Sequence, residues 1–242
     1  MKIFIKICLL IFSLLTFGIL ALFVLPLPSF EKDIPRPKFW DYPKLSEAKY
    51  KIEYTNDGKL NLELEHPMIK GVTPKMVAWW YRNLASGKYK IDGVDYDFYH
   101  LFHLSEHGRT TVVSPADDGS MKMAKGAIVY RQECFGPHFS KGKGKVLSFS
   151  DNGYVVTPVM GPLTLGRIEH TFEEREGGTI YKVKTVLGSD LPILGSVINL
   201  FITKRQFAPE VAQEWVRHQV EEVGSLTYYL PKIYKEQSPG VP

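Results

Sequence analysis

The amino-acid sequence is typical of an α+β domain in which a curved antiparallel sheet grips a long C-terminal helix. Two observations indicate this class: a series of strand-like segments separated by turn signals, and a long helical pattern that follows them. A short capped helix precedes most of the strands. The 242 residues are enough for one domain with a sizeable core.

The middle of the chain carries the strand signals. Residues 61–65 alternate cleanly between apolar and polar side chains, which is the pattern of a half-buried strand. Turn signals such as Asp117-Asp118-Gly119 and Glu176-Gly177-Gly178 separate the later segments, and their spacing predicts an antiparallel meander. The later strands are predicted at 109–113, 126–135, 145–149, 153–160, 163–174 and 179–187.

Two helices are predicted. Thr73 caps the first helix and Pro74 occupies its first turn, and we expect this helix to end at Gly87. Pro209 lies in the first turn of the long helix, and we expect Pro231 to stop it. A sheet that grips a long helix leaves a cavity between them, and such a cavity suits an apolar or amphipathic ligand.

The N-terminal segment is predicted to be a membrane anchor. Residues 7–30 contain no charged side chain, and about 20 apolar residues are enough to span a bilayer. A secretory signal peptide has a shorter apolar region and a small-residue cleavage site, whereas this run ends in Val24-Leu25-Pro26-Leu27-Pro28. Lys2 and Lys6 precede the run, so the positive-inside bias places the rest of the chain on the extracytoplasmic side.

We therefore divide the chain into three parts. Residues 1–30 are the single-pass anchor, 31–47 are a proline-rich linker, and 48–242 are the folded domain. A cleaved signal peptide and a buried core helix are the alternatives for the first part.

Charge and motifs exclude several function classes. The net charge is +4, and without residues 1–30 it is 28 − 26 = +2, which is too weak a bias to indicate nucleic-acid binding. The sequence contains no Gly-x-Ser-x-Gly motif of serine hydrolases. Lys141, Lys143 and Lys145 alternate with glycine, and we interpret them as a solvated turn.

Histidines and glutamates provide the candidate chemistry. Three of the seven histidines fall between Tyr99 and His107. On the C-terminal helix, the i,i+4 spacing of His218 and Glu222 puts both on one face, where they could chelate a metal ion. Glu133 lies among strand-like apolar neighbours and needs a partner if it points inward. Each feature also has a structural interpretation, as a surface pair or an outward-facing carboxylate.

Several motifs resemble the 2,4-diacetylphloroglucinol hydrolase family, which is similar to phloretin hydrolases. They are the segment 66–83 (HPMIKGVTPKMVAWWYRN), the Tyr99-x3-His103-x3-His107 block, the segment 165–174 (LGRIEHTFEE) followed by Gly177-Gly178-Thr179, and the segment 218–222 (HQVEE). The resemblance covers roughly residues 60–230 with the motifs in the expected order.

This resemblance implies a START/Bet v 1-like helix-grip domain with one catalytic zinc ion, which hydrolyses the carbon–carbon bond between an acyl group and a phenolic ring. The implied zinc ligands are His107, Glu133, His218 and Glu222, with His103 as a rival to His107. Tyr99 and His170 fall on substrate-site positions, and we predict them as the catalytic residues, since a general acid must reach the ring before it can leave. Thr110 stands near the place where the family has an asparagine, so the identity of the substrate is left open.

Other functions remain open at this stage. The domain could bind a lipid or aromatic ligand without catalysis, or use the same zinc site to hydrolyse another bond such as an ester. The expected partner is a small amphipathic or aromatic molecule, in addition to the membrane. The sequence does not indicate an oligomeric state.

Overall fold

The computed structural model describes residues 40–192 and 194–238, together with the short helical stretches 4–7, 9–10, 13–14 and 16–17. The strands are β1 Lys49–Tyr54, β2 Leu60–Glu65, β3 Ile69–Lys70, β4 Lys88–Ile91, β5 Val94–Asp97, β6 His107–Ser114, β7 Ile128–Phe135, β8 His138–Ser150, β9 Gly153–Met160, β10 Leu163–Thr164, β11 Gly166–Arg175 and β12 Gly178–Leu187. The α-helices are α1 Pro74–Asn83, α2 Phe98–Phe102, α3 Leu194–Phe201 and α4 Pro209–Gln237.

The strands form one large antiparallel sheet, in the order β1-β2-β12-β11-β9-β8-β7-β6. The short strand β10 pairs with β9 and β3 pairs with β12, while β4 and β5 form a separate hairpin. Helix α4 contacts β1 at one edge of the sheet and β7 near the other, which requires the sheet to curve around the helix. This arrangement confirms the predicted helix-grip class.

The buried face of α4 supplies the centre of the core. Val216, Val220, Val223 and Leu226 are fully buried and belong to the same apolar cluster as the inward-facing residues of the sheet. Their spacing of three and four residues is the apolar stripe of an amphipathic helix. This burial against the sheet holds the helix in place.

Two predicted helix ends were wrong. Helix α1 begins as predicted, with the Thr73 hydroxyl accepting a hydrogen bond from the Met76 amide at 3.3 Å, but it ends at Asn83 rather than Gly87. Pro231 lies inside α4, which continues to Gln237. A proline removes only one helical hydrogen bond, and burial of the side chains that follow it, such as Ile233, holds the last turns on the core.

The packed domain begins earlier than the predicted boundary at residue 48. Trp40 is buried, and its ring lies 4.9 Å from that of Tyr229 on α4. The Tyr228 hydroxyl also donates a hydrogen bond to the Asp41 carbonyl at 2.8 Å. Aromatic packing of this kind is favourable enough to fix a proline-containing segment on a helix, so the predicted linker is partly packed.

The lysine cluster is part of a strand rather than the predicted turn. Lys141, Lys143 and Lys145 are exposed along β8, while Gly142 and Gly144 occupy the intervening positions. Because strand side chains alternate between faces, the lysines point to solvent and the glycines point inward. The alternation of lysine with glycine therefore reflects the alternation of the two faces of a strand.

The predicted anchor at residues 1–30 lies mostly outside the described residues. Among the residues that are described, no helix combines the length and the apolar character needed to cross a membrane.

Candidate metal and ligand site

A cavity of about 130 Å³ is bounded by the sheet and α4. Its wall is largely apolar or aromatic, and includes Leu84, Phe102, Val129, Val146, Ile168 and Trp215. The polar part of the wall includes Tyr99, Arg131, Glu133, Tyr154, His170 and Glu222. A mostly apolar cavity with a few converging polar groups is typical of a small-molecule site.

Three of the predicted ligands converge in this region. The Nε2 atoms of His107 and His218 lie 3.1 Å apart. The Oε2 atom of Glu222 lies 3.2 Å from the first and 3.6 Å from the second. All three side chains are buried, and together they form a group able to hold a metal ion. The structure therefore brings three of the four predicted ligands together in one cluster.

The local structure explains why these residues meet. His218 and Glu222 are one turn apart on α4, so both point in the same direction. His107 is the first residue of β6, and the β6–β7 pairing places it directly opposite Glu133. The Glu133 Oε2 atom lies 3.9 Å from His107 Nε2. The fourth predicted ligand is thus a neighbour of His107, while the group whose atoms lie close enough together to share one ion consists of His107, His218 and Glu222.

The outer nitrogen of each imidazole is already engaged. His107 Nδ1 donates a hydrogen bond to the Tyr99 carbonyl at 2.6 Å, because a carbonyl can only accept. His218 Nδ1 donates to Glu106 Oε2 at 2.8 Å. When both rings are neutral, each therefore presents an Nε2 lone pair to the other. Two lone pairs at this distance repel unless a proton or a metal cation lies between them.

Electrostatics favours ionised carboxylates beside these rings. Burial lowers the pKa of His107 to about 4. Burial also opposes charge on His218, but hydrogen bonds to Glu106 and Glu222 outweigh it and raise the pKa of His218. Burial would raise the pKa of Glu222, yet the two histidines lower it well below its usual range. A cation, either a proton or a metal ion, is thus stabilised between His107, His218 and Glu222.

Glu106 is a residue of the candidate site that sequence reasoning missed. Its carboxylate accepts two hydrogen bonds from Arg217 Nη2, at 2.7 and 2.9 Å, and one from the Gly136 amide at 3.0 Å, in addition to the bond from His218. Burial opposes its ionisation, but His218, His103 and Arg217 lower the pKa of Glu106 to about 2. Carboxylates that orient ligating histidines in this way are typical of metal sites. The sequence signal that could have identified Glu106 is its position as an acidic residue inside a histidine-rich run, and in the structure this acid is buried.

His103 lies behind the candidate ligands. Its ring stacks on that of His218 with centroids 4.5 Å apart. Its Nε2 atom lies 3.2 Å from Glu221 and 3.7 Å from Glu106. It belongs to a second group, with Glu106 and His218, that could in principle hold an ion. Because Glu106 already occupies His218 Nδ1, we favour the His107 group.

The two predicted catalytic residues both line the cavity. The Tyr99 hydroxyl donates to Glu133 Oε2 at 3.0 Å, and its ring stacks on His107 at 3.9 Å. Burial raises the pKa of Tyr99, so this phenol is neutral at pH 7.

The second predicted catalytic residue, His170, belongs to a tyrosine network. Its Nδ1 atom lies 2.6 Å from the Tyr181 hydroxyl, which in turn lies 2.7 Å from the Tyr81 hydroxyl. The ring of Tyr154 stacks on that of His170 at 4.1 Å. Burial lowers the pKa of His170 to about 3. The imidazole is therefore neutral at pH 7.

Comparison with known proteins yields matches in structure only. No protein-family profile and no curated protein matches this sequence. Similar solved structures include Ara h 8.0201, at 13% identity and a TM-score of 0.42 over 70% of this chain and 99% of that one. A START superfamily protein from Mycobacterium smegmatis is 9% identical, with a TM-score of 0.43 over 70% and 96% of the two chains. KanY (ms6282) is 11% identical, with a TM-score of 0.43 over 79% and 99%. At these identities and TM-scores, the similarities assign neither a substrate nor an activity to this chain.

Proposed function

We propose that this protein is a zinc-dependent hydrolase that cleaves the carbon–carbon bond between an acyl group and a phenolic ring. The observation that carries the proposal is the pair of imidazole Nε2 atoms that face each other beside Glu222, which lines the cavity. The motif resemblance to acylphloroglucinol hydrolases supplies the reaction type.

The donor set suits zinc. Two imidazole nitrogens and two carboxylate oxygens are ordinary zinc ligands. Donors at tetrahedral positions around zinc lie about 3.3 Å apart. The separations within His107, His218 and Glu222 run from 3.1 to 3.6 Å, which is close to that spacing, and Glu133 lies 3.9 Å from His107. Zinc would supply Lewis acidity, which polarises a carbonyl group and acidifies water.

The chain's own residues would perform the remaining tasks. Hydrolysis places a hydroxyl group on the acyl carbon and a proton on the ring carbon. The aromatic wall would hold the ring and exclude bulk water. Tyr99 is a neutral phenol beside the candidate ligands, and we propose it as the proton donor. His170 and Tyr181 would carry a proton to or from the ring side of the cavity.

Metal content in matched variants tests this proposal. The whole chain should bind about one zinc ion, and His107→Ala and a His218→Ala, Glu222→Ala double variant should lose it. His103→Ala is the control, because His103 is equally buried but lies behind His218. Zinc retained at full stoichiometry in folded His107→Ala would show that the ligand set is wrong. Zinc binding that matches the proposal would justify assays with acylated phenols.

A second candidate is a module that binds a lipid or aromatic ligand without catalysis. The predominantly apolar cavity wall favours it. This function predicts that the double variant takes up the ligand as well as the wild type, and that the zinc-loaded wild type turns over no acylated phenol. Loss of turnover together with zinc would favour the hydrolase.

We also propose that the N-terminal apolar run tethers this domain to the extracytoplasmic face of a membrane. Lys2 and Lys6 before the uncharged segment 7–30 support that orientation. Resistance to alkaline extraction, with protease access from the outer side only, is the expected result. Release of the chain into the soluble fraction would contradict it.

A further inference from the structure

One charged side chain in the cavity wall has no role in the proposed hydrolysis. Arg131 lies on β7 two residues before Glu133, and both side chains line the cavity. Strand side chains two residues apart share a face, so the guanidinium points to the same side as the candidate ligand. About a third of the Arg131 side chain, 36%, remains accessible, whereas the Glu133 side chain is buried.

The charges that line the cavity can be counted. Among the described residues that form its wall, Arg131, Glu133 and Glu222 are the charged groups, because burial keeps the tyrosines and His170 neutral. Arg131 contacts Glu133 through its Nη1 atom. If a divalent cation engages both carboxylates, their two negative charges are neutralised. The guanidinium then carries the one remaining charge, and an unpaired charge in an apolar cavity is costly.

We propose that Arg131 binds a carboxylate on the ligand, so that this cavity selects acylated phenols that carry an acidic substituent. The inference builds on the proposed function, since it names a substrate class for the same site. An arginine presents a planar fork of N–H donors that matches a carboxylate with two parallel hydrogen bonds. A neutral ligand would leave those donors unpaired.

A purely structural function for Arg131 makes a different prediction. If the guanidinium only orients Glu133, its replacement would weaken metal binding and would affect neutral and acidic ligands equally. The two functions are therefore separated by comparing two ligands that differ in a single carboxylate. 4-Hydroxyacetophenone and 5-acetylsalicylic acid are such a pair.

The experiment measures the affinity of both probes for the whole zinc-supplied chain at neutral pH by titration calorimetry, with zinc content determined in parallel. We expect the acidic probe to bind the wild type about tenfold more tightly than the neutral one. Arg131→Gln should abolish that preference and leave the affinity for the neutral probe almost unchanged. Arg109→Gln is the matched control, because Arg109 is exposed on the neighbouring strand β6, and it should retain the preference.

The outcomes distinguish this inference from the proposed function. If the wild-type protein binds zinc but shows no preference for the acidic probe, the inference about Arg131 is overturned while the proposed function is not. This result requires no variant. A preference that survives in Arg131→Gln overturns it as well. A preference that disappears in Arg131→Gln, in protein that binds zinc but turns over no acylated phenol, supports the carboxylate site and counts against the hydrolase.

Discussion

Replacement of Glu106 by glutamine tests how the metal site is built. The Glu106 carboxylate accepts four hydrogen bonds, from His218, from Arg217 twice and from the Gly136 amide. A carboxylate has about four acceptor positions, so this side chain is fully used. Glutamine has the same shape but only one acceptor oxygen, and its amide group presents N–H donors where Arg217 also donates.

The expected magnitude follows from these contacts. If the glutamine oxygen faces His218, the amide group opposes the Arg217 guanidinium. If the glutamine oxygen faces Arg217 instead, His218 Nδ1 loses its acceptor and the imidazole ring is free to change tautomer. Loss of such an orienting group costs about 10–100-fold in metal affinity, which corresponds to about 1.4–2.8 kcal/mol. We therefore expect Glu106→Gln to bind zinc at least tenfold more weakly.

Competition with a chromophoric chelator at pH 7 measures this affinity, with the melting temperature recorded as a check on folding. Glu214→Gln is the matched control, since Glu214 pairs with Arg217 Nε at 2.7 Å but is about one-third exposed and does not contact His218. The control should bind zinc within about twofold of the wild type. Folded Glu106→Gln that binds zinc as tightly as this control would refute the orienting function.

Three further results are expected. Tyr99→Phe removes the hydroxyl that donates to Glu133, and it should keep stoichiometric zinc while turnover of an acylated phenol falls about 100-fold; full turnover would exclude Tyr99 as the acid. Gly144→Ala would place a Cβ atom 2.6 Å from the Val156 side chain, so it should lower stability by about 1–3 kcal/mol and weaken ligand binding, whereas outward-facing Lys143→Ala should do neither. Burial lowers the pKa of His66 to about 3, so the unfolded chain takes up the proton first as the pH falls below about 6.5. Between pH 7 and pH 5 the wild type should therefore lose about 2 kcal/mol more unfolding free energy than His66→Leu, measured by urea denaturation; equal losses would show that His66 does not titrate in this way.

The fold followed from local patterns because its elements are strongly periodic. The alternation along 61–65 and the apolar stripe of α4 are imposed by burial of one face, and the Thr73-Pro74 start depends only on neighbouring backbone groups. The errors arose where distant contacts decide. Packing of Ile233 carries α4 past Pro231, and Trp40 joins the core through an aromatic contact with a helix nearly 190 positions later. No local rule contains such information.

The candidate site was predictable only where local geometry decides which residues are neighbours. His218 and Glu222 are neighbours by helical geometry alone, but the register that sets His107 opposite Glu133 depends on the pairing of two strands separated by a long loop. The motif resemblance supplied that pairing. Glu106 and Arg217 were missed because each stands next to a candidate histidine in sequence but reaches its partner across the fold, from the start of β6 to α4.

Tyr99 joins the candidate metal site to the short helix α2 in the cavity wall. Its carbonyl holds His107, its hydroxyl holds Glu133, and it lies within the five-residue helix α2. A local opening of α2 would thus release two candidate ligands at once. Because such linkage is reciprocal, a bound metal ion must raise the free energy of that opening by as much as the opening weakens metal binding. Amide hydrogen exchange in residues 98–102 then becomes a direct measure of metal occupancy.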